Sequence, residues 1–383
     1  MRRNSLFLIP ILGLFLLFAA PANGAIKAGL KCSIKGQVKS WQSSKFVCTS
    51  VKGKLVWKSY SGASANKLPS KPDAKPSETS QSIAPALPSP NNSQSPQIYN
   101  FEPWSTEFET QLLIESALRK TNEYFGNVIP SNSYQLVVDP KISESDREWI
   151  SKMLDYSDGA FGNVPREQNR IYLGNSNEWS VKAMKNDGVW IGDSSSAYPC
   201  SQGFSDAYCA QENLILLIYT QANSVNFRWD YGRRATPAHE TFHTIQAALS
   251  GSMHRIGPEN PLHIPRWLME GSANFFGFYV SEKLNFDKYE VGRRNQVTLN
   301  PSYTKNEPLS NFDNFSSDPY GIGQAASEYL IASTSFADFL NIWRFTKSEQ
   351  NFSKGFKKAI GIELSEFYQL FEKARLSMKI GSS

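Results

Sequence analysis

The stretch Thr236-Pro237-Ala238-His239-Glu240-Thr241-Phe242-His243 carries the clearest chemical implication in the chain. On a helix, His239 and His243 stand at i and i+4, one above the other on a single face. That spacing lets two imidazoles reach one metal ion. Glu240 projects beside them, where a carboxylate can take a proton from a water activated by the metal. Thr236 reads as the cap of this helix and Pro237 as its first residue. The bland alternative is a helix whose two His simply pack or face solvent. The chain holds only four His, so chance rarely sets two of them around a Glu in this way.

A zinc site of this kind takes a third protein ligand and keeps one position open. A His at position 249 with a Gly at 246 would mark the metzincin spacing. The chain has Leu249 and Gln246 there, which excludes it. Four candidates remain: His254, Glu259, His263 and Glu270. His254 and His263 stand in a connection containing Gly251, Gly257, Pro258 and Pro261, and read as loop residues at a cleft rim. Glu270 lies in Pro265-Arg266-Trp267-Leu268-Met269-Glu270-Gly271-Ser272-Ala273, about one turn into a helix that Pro265 begins. A carboxylate presented from a packed helix is held rigidly, as a metal ligand should be.

The P-x-W-L-x-E-G-x-A pattern around Glu270 resembles the Glu-ligand segment of the gluzincin metallopeptidases, the peptidase MA-like group. The resemblance implies a zincin-like α+β domain with one Zn2+ per chain on His239, His243 and Glu270. It implies Glu240 as general base and a peptide or protein as substrate, hydrolysed through an activated water. Pro319-Tyr320-x-x-Gly323, followed by Tyr329-Leu330, resembles a segment of the aminopeptidase branch. There the first Tyr donates to the oxyanion, a role that falls on Tyr320. Ala210-Gln211-Glu212-Asn213 stands where that branch has G-A-M-E-N, which gives Glu212 a role toward the substrate's free amine. Asn274 stands four residues after Glu270, where many gluzincins carry an acid that orients a ligand His. The likeness spans roughly residues 210–375 and is specific only in the His-Glu and Glu segments. Two other readings share these residues: a catalytically inactive zincin-like cell-surface binding protein, and a zinc hydrolase of a non-peptide bond.

The elements that must position these residues follow from pattern. Residues 106–125 and 143–156 read as helices, the second capped by Ser143 or Ser145. Residues 134–138, 170–173 and 214–219 read as strands, the last a continuous apolar run. After residue 235 the signals are helical. Strands first and helices later indicate α+β, a small sheet followed by a helical C-terminal half. Residues 214–219 are expected at the edge of that sheet, where an extended peptide can pair with main chain.

Upstream of this domain, spanning 99–383, the chain changes character. Residues 1–24 read as a signal peptide: Arg2 and Arg3, the apolar run Leu6 to Ala20, then Ala22-Asn23-Gly24. Secretion, or association with the cell wall, is the expected location, with no transmembrane segment after cleavage. Residues 25–60 form a small basic module, too short for a core of its own and expected to be stapled by a disulfide. Its Gly29-Leu30-Lys31-Cys32, Phe46-Val47-Cys48 and Leu55-Val56-Trp57 segments resemble a short module of exported actinobacterial proteins. Residues 61–98 are a Pro/Ser-rich linker with too little apolar surface to fold. Residues 1–60 carry ten Lys/Arg and no acid, while the rest holds 30 basic against 35 acidic residues. The overall charge of +5 therefore belongs to the N-terminal end. The large domain is mildly acidic and no nucleic-acid partner is expected; an anionic cell-wall polymer suits the basic module.

The four Cys lie in two close pairs, and an even count behind a signal peptide reads as disulfides. Mass mapping of exported protein is expected to give Cys32–Cys48 and Cys200–Cys209. Free thiols in native secreted material would count against both the pairing and the export reading.

Overall fold

The computed structural model describes residues 31, 38–41, 44–51, 54–60, 99, 101, 107–189, 207–211, 213–219, 230–251, 259–298, 307–313 and 318–378. The chain divides into two compact units, residues 1–80 and 81–383. The signal-peptide reading and the linker reading fall outside the described residues. In the first unit β1 (Val38–Trp41), β2 (Ser44–Val51) and β3 (Lys54–Tyr60) form an antiparallel sheet in that order. Cys48 stands opposite Trp57, which is buried. Cys32 and the side chain of Cys48 are not among the described parts, so their pairing falls outside them, as does that of Cys200 with Cys209.

The second unit mixes a small sheet with a larger helical part. It opens with α1 (Glu107–Phe125), β4 (Gln135–Val138), α2 (Glu144–Ala160), β5 (Arg170–Gly174) and α3 (Asn177–Asn186). Ser143 caps α2 by accepting from the Asp146 N–H, and acids in the first turn complement the helix dipole. β6 (Ala207–Gln211) and β7 (Leu214–Ile218) complete a four-stranded sheet of order β4-β5-β7-β6. The first three strands run parallel and β6 runs antiparallel to β7.

This order corrects one expectation. Leu214–Ile218 is not the edge strand; it is flanked by β5 and β6, and all five of its residues are buried. An unbroken apolar run marks a strand covered on both faces, which is what an interior parallel strand requires. The edge on that side is β6, whose Ala-Tyr-Cys-Ala-Gln sequence lacks β-branched residues and gave no strand signal.

The helical half consists of α4 (Asp230–Ser250), α5 (Arg266–Lys283), α6 (Tyr289–Arg293), α7 (Tyr320–Ser333), α8 (Phe336–Glu349), α9 (Phe352–Ile360) and α10 (Leu364–Met378). A π turn at Arg294–Thr298 follows α6, and a 3-10 turn at Leu309–Phe312 precedes α7. α5 is buried continuously from Trp267 to Ser281. A helix apolar on every side belongs at the centre of a fold. Glycines let its neighbours approach: a Cβ at Gly271 would collide with the Gly323 backbone of α7, and one at Gly277 would lie 2.8 Å from the Ala235 carbonyl oxygen of α4.

A second correction concerns α4. The helix begins at Asp230, seven residues before Pro237, so Thr236 does not cap it. Inside a helix Pro237 has no N–H to give the carbonyl four residues back, that of Arg233. The Tyr219 hydroxyl, just beyond β7, donates to that carbonyl at 3.1 Å instead. Thr236 turns its hydroxyl inward to Gly232 O at 2.7 Å. The sheet thus repairs the helix that it packs against. Tyr219→Phe is expected to lower unfolding stability by about 1–3 kcal/mol, the usual cost of a stranded buried acceptor. In a Pro237→Ala background, where the main chain regains its donor, the same change should cost clearly less. A double-mutant cycle in denaturant measures the difference, and purely additive effects would refute the repair.

Candidate metal centre

α4 supplies His239, Glu240 and His243; α5 crosses it and supplies Glu270. The two imidazole Nε2 atoms lie 3.1 Å apart. Glu270 Oε2 lies 3.3 Å from His243 Nε2 and 3.5 Å from His239 Nε2. A tetrahedral ion with bonds of about 2.0–2.1 Å sets its ligand atoms about 3.3 Å from one another. The observed triangle therefore fits one small cation. His239, Glu240 and Glu270 are each buried, and the three ligand residues form a group that can hold a metal ion.

The electrostatics of the group agree with that donor set. Burial pushes the Glu270 carboxyl upward, but the charge of His243 beside it, with bonds from both imidazoles, wins and holds it below its ordinary value. Burial lowers the pKa of His243, and Glu270 overrides it, raising that pKa to about 9. Without a cation, the Glu270 charge favours the protonated imidazole. Glu240 is pushed up by burial, partly relieved by the two His, and pushed further by the charge of Glu270. A carboxyl with a raised proton affinity is what a general base near neutrality requires.

Gln246, one turn beyond His243 on α4, settles which nitrogen of that ring faces the cluster. It is fully buried, and its Nε2 donates to Met269 O at 3.0 Å and Ser272 Oγ at 2.7 Å, both on α5. A backbone carbonyl only accepts, so the amide group must point there and Oε1 must face His243, 2.8 Å from Nδ1. His243 then carries its proton on Nδ1 and presents the Nε2 lone pair to the ligand triangle. Sequence reasoning assigned Gln246 no role, and its burial between Ile245 and Ala247 is visible only in the structure.

Tyr320 is the first residue of α7, its ring centroid 6.1 Å from that of His239. It is 36% exposed, the open side of an otherwise buried site. The Glu270 charge first, then burial and Glu240, push its phenol well above the ordinary value, so it remains a donor. Arg266 also reaches the site, with Nη1 3.6 Å from Glu270 Oε1.

The other candidates separate from this group. His263 donates from its ring to Asp313 O at 2.9 Å and is not part of the triangle. Glu259 is exposed, while His254 and Glu212 fall outside the described residues. Asn274 is buried, and its Nδ2 has no hydrogen-bond partner among the described residues. Tyr329 is fully buried against the rings of Phe101, Phe367 and Phe371. No protein-family model matches the chain, and comparison with curated proteins finds no match.

Gln246→Leu removes the acceptor on His243 Nδ1 and is expected to weaken the affinity for a divalent metal ion about 10- to 100-fold in chelator competition. His263→Ala should leave the affinity unchanged. Equal affinities for wild type and Gln246→Leu would show that the ring needs no such orientation.

Proposed function

We propose that the chain is a secreted, zinc-dependent peptidase of the zincin type. The observation that supports this best is the triangle of His239, His243 and Glu270, of the size of a zinc coordination face, with Glu240 and Tyr320 beside it. Two imidazoles and one carboxylate, with a side open at Tyr320, are a donor set suited to catalytic zinc. When bound, zinc would supply Lewis acidity toward the scissile carbonyl and toward water.

The chain's own groups do the rest. Glu240 accepts the proton of the attacking water and delivers it to the leaving amine nitrogen. Tyr320 donates to the carbonyl oxygen as negative charge builds on it. The antiparallel edge strand β6 packs beside α4 and takes over the role expected of 214–219: it offers main-chain groups to an extended peptide. No helix among the described residues is long and apolar enough to cross a membrane. In the first unit, Lys31 bridges to Val56, between Lys54 and Lys58 on the same face of β3. All three lysines are exposed and residues 1–60 contain no acid, which supports contact with an anionic wall polymer.

Purified protein is expected to hold one zinc per chain. His243→Ala should lose it, and Glu240→Gln should keep it while kcat on a peptide library falls about 10²- to 10⁴-fold. Tyr320→Phe should lower kcat about 10- to 1000-fold with KM nearly unchanged, and Tyr329→Phe should not reproduce that split. Full turnover by Glu240→Gln, or a zinc-loaded wild type that cleaves nothing, would overturn the reading.

A further inference from the structure

We propose that Arg266 is a substrate-recognition residue, whose guanidinium takes a carboxylate carried by the substrate within about one residue of the scissile bond, so that the site prefers anionic peptides. This rests on the metallopeptidase reading and deepens it.

The first observation is that Arg266 stands where local physics disfavours it. It is the first residue of α5, at the positive end of the helix dipole, and the acid that offsets it is not in the first turn but at Glu270, four residues on. Side chains that break a local rule in this way are expected where function demands them. The second is position. The Arg266 N–H donates to Asp313 O at 3.1 Å, which anchors the residue. Its side chain is only 22% exposed, with Nη1 3.8 Å from Met269 Sδ and 3.6 Å from Glu270 Oε1. Glu270 turns its other oxygen, Oε2, to the two His. The guanidinium therefore lies on the outer side of the ligand carboxylate. At 3.6 Å the Glu270 contact is an ion pair but not a hydrogen bond. Adding the width of a carboxylate and a metal–oxygen bond, Nη1 would stand within about 8 Å of an ion held by Glu270, the span of one or two peptide units.

The third observation is charge. Two neutral imidazoles and Glu270 with a divalent ion would leave one positive charge; Arg266 adds a second, and Glu240 and Asp318 remove both. Tyr320, coupled electrostatically to Arg266, marks the open side, and Asp318 at the N-terminus of α7 is the other acid at this rim. The formal charges therefore balance, and the attraction for an anion is local to the partly buried guanidinium. The planar fork of Arg matches a carboxylate in a way that an ammonium does not. An Asp or Glu side chain and a free C-terminus both present that group. The plain alternative is that Arg266 only steadies Glu270.

The test measures binding apart from turnover. Zinc-loaded full-length Glu240→Gln is titrated with three peptide pools of matched length. One is neutral and C-terminally amidated, one is amidated with a single Asp or Glu, and one is neutral with a free C-terminus. At least one carboxylate pool is expected to bind about tenfold or more tighter than the neutral pool, and the pool that gains identifies the source. Adding Arg266→Gln should reduce that advantage below about threefold, and Arg266→Lys should retain part of it. The proposal is overturned if the three pools bind alike, or if Arg266→Gln weakens all of them equally while zinc is lost. The second result would assign Arg266 to Glu270 alone. Cleavage of the same pools by wild type is read separately. A carboxylate preference without cleavage would refute the peptidase and leave the recognition role standing.

Discussion

The close approach of three helices at α5 is the constraint on which the site depends. α5 is buried along nearly its whole length, and its backbone is met by α7 at Gly271 and by α4 at Gly277. Each contact leaves no room for a side chain. With the axes held at that separation, Glu270 on α5 comes within 3.5 Å of both imidazoles on α4, and Tyr320 at the start of α7 overhangs His239. A wider crossing would separate the carboxylate from the His pair without altering any helix.

Burying a carboxylate is costly unless it is paired or bound to a cation. Glu270 meets that demand through His243 and His239, and Arg266 touches its outer oxygen. Gln246 ties the same two helices by polar bonds, using both ends of one amide. The His-His-Glu cluster and the α4–α5 interface are thus one network, and a change in helix packing is also a change in the orientation of His243 and Glu270. A second buried charge pair, Arg293 with Glu328, is completed by the Tyr289 hydroxyl and joins α6 to α7 away from the site.

The sheet contributes in two ways. Its interior strand ends in Tyr219, whose hydroxyl satisfies the Arg233 carbonyl that Pro237 leaves without a donor. Its antiparallel edge strand runs beside the helix that carries His239 and His243. Strand and helix are therefore registered to each other by a specific bond as well as by apolar packing.

The sequence by itself determined what local periodicity can determine. A spacing of four residues puts His239 and His243 on one face of any α-helix, and the apolar run 214–218 could only be a covered strand or a buried helix. The mixed composition of strands and then helices was equally legible, because each element's period is local. The third member was legible as a pattern, since the P-x-W-L-x-E-G-x-A segment pointed to Glu270, but its distance from the pair was not: the crossing of α5 over α4 brings it there. Gln246 was silent because its amide bonds run to Met269 and Ser272 on another helix, whereas Arg266 stands four residues before Glu270 on the same helix, a spacing that the sequence does show. Strand order was also beyond reach. Whether 214–218 is central or at the edge depends on β6, whose pairing comes from its neighbour and not from its own propensity. Pro237 misled the local reading because the donor that permits a proline inside α4 comes from the end of a strand, a contact that tertiary structure alone supplies.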